Sequence, residues 1–246
     1  MKLTKPIVGI LAVLFLSSPA WGATKYGDAT IESGKMIVLR GGQRMVYTPS
    51  DQNVSINHQD IIRLGSSSKV VLRTVEKATL TLGSNAVLHV EPWQKQEKKG
   101  AMRMLFGRFR AVVTGLSGGE RFNVRTATAT IGVKGTELSA MQTAAEDTLL
   151  WVESSKKRNP VDFGGLTGDD VEVPVGYASL VKGSQAVRNP VRANAALRKE
   201  LGNLDSPSPT SDEASRLPDQ VAGSGLAANG DTDGGDGDEA GELGRA

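Results

Sequence analysis

The 246-residue chain contains no cysteine and only two histidines, and aromatic residues make up 4% of it. The lack of cysteine excludes disulfides, cysteine-ligated metal centres and a lipid-modified N-terminal cysteine. After the first 22 residues, no apolar run approaches the roughly 20 residues that a membrane-spanning helix needs. The fold must therefore depend on an apolar core, and the length is sufficient because a domain of about 150 residues buries roughly two-thirds of its unfolded surface.

The first 22 residues have the pattern of a secretory signal peptide. A basic start precedes an apolar run from Ile7 to Leu16, and small residues follow at Ala20 and Gly22. Because the apolar run is too short to span a bilayer, a cleaved signal peptide is favoured over a membrane anchor. We expect cleavage after Gly22 and export of the remaining chain.

Acidic and basic residues are unevenly distributed along the chain. From Asn203 to Ala246 there are ten acidic residues and two arginines, a net charge of −8, whereas residues 23–202 have 25 basic and 17 acidic residues, a net charge of +8. A basic body favours nucleic acid, anionic lipid or an acidic partner, and nucleic acid is the weakest of these for an exported protein with few aromatics. Alternatively, the acidic tail folds back on the basic body and screens its charge.

Short segments of β character follow one another from Thr24 to Val90. Apolar and polar residues alternate in them, and glycine, proline, serine and asparagine separate them. Many short strands at a spacing of about ten residues are typical of an all-β sandwich, barrel or short solenoid. We therefore predict an all-β domain of sandwich or short-solenoid form over 23–188. Its first candidate strands are Ala29–Ile31, Met36–Leu39, Arg44–Tyr47, Asp60–Leu64, Val70–Leu72, Thr79–Leu82 and Ala86–Val90.

The stretch from Arg121 to Leu138 has the most specific pattern in the chain. An alternating strand pattern leads into a run of small residues, and two glycines then mark a sharp turn or a close backbone approach before another strand. The combination of Phe-x-Val-x-Thr with Gly-Val-Lys-Gly-Thr-Glu-Leu resembles the signature of the FecR domain, a family named for the ferric-citrate transport regulators. The signature positions are Phe122, Val124, Thr126, Gly132, Val133, Gly135, Thr136 and Glu137.

The resemblance covers about 27–187 and implies a periplasmic all-β domain that takes part in envelope signalling. Well-known members relay a receptor signal to a cytoplasmic sigma factor through a cytoplasmic segment and a membrane helix that precede this domain. A predicted signal peptide stands there in this chain, so we expect any signal to pass through another membrane protein. Ser154 to Gly168 departs from the short family turn, and we predict a loop insertion there.

The C-terminal part of the chain is predicted to contain one helix and a disordered tail. Asn189-Pro190 is a favoured helix start, and the leucines that follow lie on one helical face, which predicts a helix over 189–204 that packs on the β domain. Residues 205–246 are rich in proline, serine, glycine and aspartate and have no apolar periodicity, which predicts disorder.

The segment from Met102 to Val113 interleaves apolar residues with Arg103, Arg108 and Arg110. Alternation predicts one face in the core and one charged face, so the plain interpretation is an exposed strand surface. Because methionine, aromatic residues and arginine are enriched in interface cores, the three arginines are also our candidates for partner binding.

Two patterns, one of metal-binding type and one of catalytic type, are less specific than the pattern from Arg121 to Leu138. His58-Gln-Asp60 and His89-Val-Glu91 would supply four zinc ligands if their strands were neighbours. Ser66-Ser-Ser-Lys69 and Ser154-Ser-Lys-Lys157 match the Ser-x-x-Lys motif of penicillin-interacting enzymes but lack its helical context. We predict surface histidines and chance matches, and hence no metal, no cofactor and no catalytic residue.

The resemblance to the FecR domain and the predicted signal peptide together imply a non-catalytic binding or signalling module of the cell envelope, periplasmic or secreted. We expect it to recognise an envelope protein through a sheet edge or through the basic face at 102–113. The alternative is a carbohydrate- or peptidoglycan-binding module, for which Trp93, Trp151 and Tyr177 are the aromatic candidates.

Overall fold

A computed structural model describes residues 24–92, 101–114, 121–155 and 159–205. The predicted signal peptide and the predicted tail beyond its first residue lie outside these ranges. Within them the chain is mostly β-structure with one short helix near its C-terminal end, so the predicted fold class is confirmed. The elements are β1 (Lys25–Ser33), β2 (Met36–Arg40), β3 (Gln43–Tyr47), β4 (Val54–Asn57), β5 (Ile61–Leu64), β6 (Lys69–Thr74), β7 (Ala78–Leu82), β8 (Val87–Val90), β9 (Ala101–Val113), β10 (Phe122–Arg125), β11 (Ala129–Val133), β12 (Thr136–Gln142), β13 (Thr148–Ser155), β14 (Val161–Gly165), β15 (Val171–Val173), β16 (Tyr177–Val181), β17 (Val191–Arg192) and α1 (Ala195–Gly202).

The strands form two sheets that share the long strand β9. Sheet I has the order β4-β1-β6-β7-β9-β12-β13-β16-β17. Sheet II has the order β3-β2-β5-β8-β9-β10-β11-β14-β15. Neighbouring strands are antiparallel except for β9 and β10, which are parallel.

Strand β9 passes from sheet II to sheet I at Gly107. Its first half pairs with β8 and β10, and its second half pairs with β7 and β12. A bulge against β8 and the positive φ of 104° at Gly107 reverse the side-chain alternation at this point. Met102 and Met104 are buried before the switch, whereas Phe109 and Ala111 are buried after it.

The two sheets enclose one continuous apolar core. Inward side chains from both sheets belong to a single cluster of buried residues, in which Tyr26, Phe109, Phe122 and Phe163 are the largest. Full burial of one such side chain contributes about 1.5–3 kcal/mol, so the core accounts for stability without disulfides. The arrangement is the sandwich form of the predicted class.

Three strands, β4, β14 and β17, lie where the sequence analysis predicted none. The predicted loop insertion from Ser154 to Gly168 is wrong for much of its length, because β13 continues to Ser155 and β14 pairs with β11 and β15. Strands β4 and β14 each have only two apolar side chains that alternate with polar ones. Such short alternation does not stand out from a loop until the neighbouring strands are known.

The helix begins later than predicted. Asn194, not Asn189, is the N-cap, and its side-chain Oδ1 accepts a hydrogen bond from the backbone N–H of Leu197 at 2.8 Å. The segment after Pro190 instead forms β17, which pairs with β16. Leu197 and Leu201 are buried against the outer face of sheet I, as the predicted apolar helix face requires.

Candidate partner-binding surface

The outer face of sheet II carries apolar and basic side chains side by side. In register across the sheet, Leu39 lies opposite Arg44 and Ile61, and Ile61 lies opposite His89. A second row runs parallel to it on the same strands. We call the surface formed by both rows the sheet II face, and its members are Ile37, Leu39, Arg44, Val46, Ile61, Arg63, Val87, His89, Arg103 and Leu105.

Large apolar side chains on the sheet II face are open to solvent. Val46 is 46% exposed, Leu105 42% and Leu39 37%. Single exposed apolar residues are normal, but a group of them among arginines is the composition of an interface core. Sheet I differs, because α1 covers part of its outer face with Leu197 and Leu201.

The sheet II face has a surplus of positive charge. Among the described residues, neither Arg44 nor Arg63 forms an ion pair. Arg103 and the neighbouring Arg125 on β10 share one carboxylate, that of Glu91, with N–O distances of 3.1 and 3.3 Å. Four guanidinium groups and one carboxylate therefore leave a net positive surface.

The three arginines that the sequence analysis placed on one basic face are divided between the two sides of the sandwich. Arg103 lies on the sheet II face, whereas Arg108 and Arg110 project from sheet I, because β9 passes from sheet II to sheet I at Gly107. The predicted single basic face at 102–113 is thus corrected. Arg110 lies between Glu137 and Glu153 and pairs with both carboxylates.

Arg108 is buried and ties α1 to sheet I. Its guanidinium pairs with the Glu200 carboxylate and donates a hydrogen bond to the backbone carbonyl of Asn203 at 2.9 Å. Burial lowers the pKa of Arg108, and the charge and hydrogen bond of Glu200 oppose that shift. Only 3% of Arg108 is exposed, so this side chain is not available to a partner in the described conformation.

The residues of the predicted signature lie at the junction between the sheets. Phe122, Val124 and Val133 are in the core, and Thr136 is buried where β12 begins. Thr126, Gly135 and Glu137 form turns or polar contacts. Gly132 lies within β11, opposite Asn123 of β10.

The histidine and carboxylate pairs do not converge on a metal site. Asp60 accepts two hydrogen bonds from Arg40, at 2.8 and 2.7 Å, which raise the pKa of Arg40. His58 Nδ1 lies 2.7 Å from the backbone carbonyl of Glu91, whose side chain binds arginines. Within the described part of the chain, no group of three or more histidine and carboxylate side chains is placed to hold a metal ion.

The Ser-x-x-Lys match at Ser66 lies in the turn before β6, without a helix. Ser68 accepts a hydrogen bond from the backbone N–H of Lys35, and Lys69 pairs with Glu32 and Asp205. The lysine of the second match, Lys157, lies outside the described residues.

The two aromatic candidates that the structure describes, Trp151 and Tyr177, do not form a common sugar-binding platform. Trp151 is half-buried in a groove of about 430 Å³ that lies between sheet I and the end of α1. Tyr177 packs against the core, and Trp93 lies outside the described residues.

The sequence analysis missed most of the sheet II face. The sequence signal for this face is the run Met36–Leu39, in which all four residues are apolar. A strand with one buried face needs apolar residues only at alternate positions. Whether the additional apolar residues are buried or exposed depends on what covers the strand, and the sequence does not show this.

Comparison with known proteins supports the predicted resemblance. Residues 60–156 match the family model described as FecR protein, so the resemblance is confirmed over that range. No curated protein matches the chain. Across the described residues, no helix has both the length and the apolar character to cross a bilayer.

Two crystal structures, at 2.50 and 1.65 Å resolution, of a protein from Parabacteroides distasonis ATCC 8503 are similar to this chain. That protein is provisionally described as an anti-sigma factor. Each structure has 15% sequence identity and a TM-score of 0.46, with 56% of this chain covered. The match spans 61% of the length of the solved chains.

Proposed function

We propose that this chain is a non-catalytic regulatory module of the bacterial envelope that binds a partner protein through the sheet II face. The FecR match over residues 60–156 supports a regulatory or signalling role in the envelope. The predicted signal peptide supports a periplasmic or secreted location. The partner is an envelope protein that passes the signal on.

One observation carries the proposal: exposed aliphatic side chains share the sheet II face with Arg44 and Arg63, which have no ion-pair partner among the described residues. Val46 and Leu39 supply apolar area, which drives association at roughly 25 cal/mol per Å² removed from water. Arg44 and Arg63 supply charge that orients an acidic partner and speeds its approach. The strand β3, at the end of the sheet II order, adds backbone groups that can pair with an extended segment.

Capture of partners from an envelope extract tests the proposal if surface variants are compared. The protein with Arg44→Glu and Arg63→Glu should lose the partner that the unchanged protein retains. The matched control reverses two exposed arginines on the sheet I side, Arg73→Glu and Arg198→Glu, and should retain it. Retention by all three proteins, or loss from the control alone, contradicts the assigned surface.

A second measurement separates protein recognition from the carbohydrate alternative. Sedimentation with purified peptidoglycan should leave the protein in the supernatant. A wall-binding module would be favoured instead if the protein cosediments with peptidoglycan, Trp151→Ala abolishes the cosedimentation, and Arg44→Glu/Arg63→Glu does not.

A further inference from the structure

We propose that the acidic tail of this same chain, residues 206–246, binds the sheet II face and competes there with the partner protein. The inference rests on the proposed function, which assigns partner binding to the sheet II face, and it states how that binding is regulated. The tail contains nine acidic residues and two arginines, and six of the acidic residues lie between Asp231 and Glu242.

Charge favours the sheet II face over the outer surface of sheet I. On the sheet I side, Arg110 pairs with Glu137 and Glu153, and Lys69 pairs with Glu32 and Asp205. The exposed Arg198 lines a groove together with Glu32, Glu153 and Asp205, and Arg73 lies opposite Asp28 on β1. On the sheet II face, Arg44 and Arg63 have no acidic partner among the described residues. An acidic segment therefore gains most where the cations are not yet paired.

The tail is long enough to reach this surface from the point where the described chain ends. Asp205 lies beside Lys69 on the sheet I side, with an Oδ1–Nζ distance of 3.4 Å. The 26 residues from Asp205 to Asp231 can span up to about 90 Å. Two stacked sheets lie only about 10 Å apart, so the acidic cluster can pass around the sandwich.

Covalent attachment makes a weak contact effective. A tethered segment meets its site at an effective concentration on the order of 1 mM, so even an affinity in that range gives substantial occupancy. The attraction is mainly electrostatic between exposed groups, and it weakens as salt shortens the Debye length to about 3 Å at 1 M. An apolar-acidic partner protein that also contacts Val46 and Leu39 can displace the tail.

The absence of cysteine makes a direct test possible in the full chain. A spin label on Ala240→Cys is the only thiol-attached group in the protein. We expect it to broaden the amide signals of β2, β3 and β5 at least twofold more than those of β1 and β6. The effect should disappear in Arg44→Glu/Arg63→Glu and in 0.5 M salt, and it should persist in Arg73→Glu/Arg198→Glu.

Uniform weak broadening, or broadening confined to sheet I, overturns the tail contact. Amide spectra of the unlabelled variants check that the double substitution leaves the fold intact.

Termination after Asp205 should raise the affinity for the captured partner about tenfold, and an unchanged affinity contradicts competition. If the label shows no contact while Arg44→Glu/Arg63→Glu still abolishes capture, the tail inference fails and the proposed function stands. If the contact is present but capture survives the double substitution, the proposed function fails instead.

Discussion

Thr148 holds the two sheets together through a small buried network of side chains. Its hydroxyl lies 2.7 Å from that of Thr126 and 3.1 Å from that of Thr128, and it donates a hydrogen bond to Gln142 Oε1 at 2.7 Å. Thr126 and Thr128 belong to the turn between β10 and β11 in sheet II, whereas Thr148 begins β13 in sheet I. All four side chains are buried, and among the described residues Thr148 is the donor to Gln142 Oε1, whereas the other polar groups of the network also have backbone partners.

We expect Thr148→Val to lower the free energy of unfolding by about 1–3 kcal/mol, because it removes the hydrogen-bond donor from the buried Oε1 of Gln142. Urea unfolding followed by circular dichroism measures the change. Thr130→Val removes a hydroxyl from an exposed position of β11 and should change stability by less than about 0.5 kcal/mol. Equal losses in the two variants would show that the network does not stabilise the fold.

Two glycines of the family signature have different backbone requirements. Gly135 lies at the corner where the chain leaves β11 for β12. Its φ is 109°, a backbone angle that residues other than glycine rarely adopt. Gly132 lies inside β11, where an added Cβ would meet only Asp162 and Asn123 at ordinary contact distances of 3.5 Å or more.

Gly135→Ala should therefore cost about 1–3 kcal/mol of stability from backbone strain alone, since no atom lies within 4 Å of the added Cβ. Gly132→Ala should be tolerated within about 1 kcal/mol. Thermal unfolding of both variants provides the comparison. A larger loss for Gly132→Ala would contradict this assignment of the corner.

At the scale of elements, β9 determines which side chains reach which surface. A regular strand from Met102 to Val113 would present Arg103 on one face and Arg108 and Arg110 on the other, with no change in the core face. The bulge and Gly107 instead change which residues are buried, so all three arginines point away from the core on opposite sides of the sandwich.

Gly107→Ala should destabilise the protein by more than about 3 kcal/mol. The added Cβ would lie 2.7 Å from the Cα of Ala86, and the positive φ adds strain to this clash with backbone. Gly135→Ala is the matched control, because it has a similar φ without a clash. The difference between the two unfolding free energies measures the close approach of β9 to Ala86, and no difference would contradict it.

The sequence predicted elements well where alternation was long and turns were marked by glycine. Strands such as β7 and β10, and the apolar face of α1, could be predicted because their local pattern is sufficient. Strand β14 could not, since Val161 and Phe163 become core residues only by pairing with β11. The helix start was misplaced because Asn189-Pro190 satisfies the local rules for a helix as well as Asn194 does, and pairing of Val191 with β16 decides between them.

At the scale of the whole molecule, the candidate site could be predicted only in part. Its basic character follows from the charge of residues 23–202, and Arg103 was among the predicted residues. Arg44 and Val46 were not, because their exposure depends on the outer face of sheet II being left open by the elements that the structure describes. Coverage of this kind is a property of the assembled sheets and has no local sequence signal.

The shared core and the continuous strand β9 lead us to expect that the two sheets unfold as one unit. Inward side chains of both sheets belong to one cluster, so loss of either sheet exposes the apolar face of the other. Ile62→Ala in sheet II and Leu150→Ala in sheet I should each lower the free energy of the same transition by about 2–5 kcal/mol. A Trp93→Phe background without the predicted signal peptide makes Trp151 the fluorescence reporter for sheet I, and circular dichroism reports on both sheets. If Ile62→Ala moved the dichroism transition but left the Trp151 transition in place, the sheets would be independent, and the sheet II face could then open without loss of sheet I.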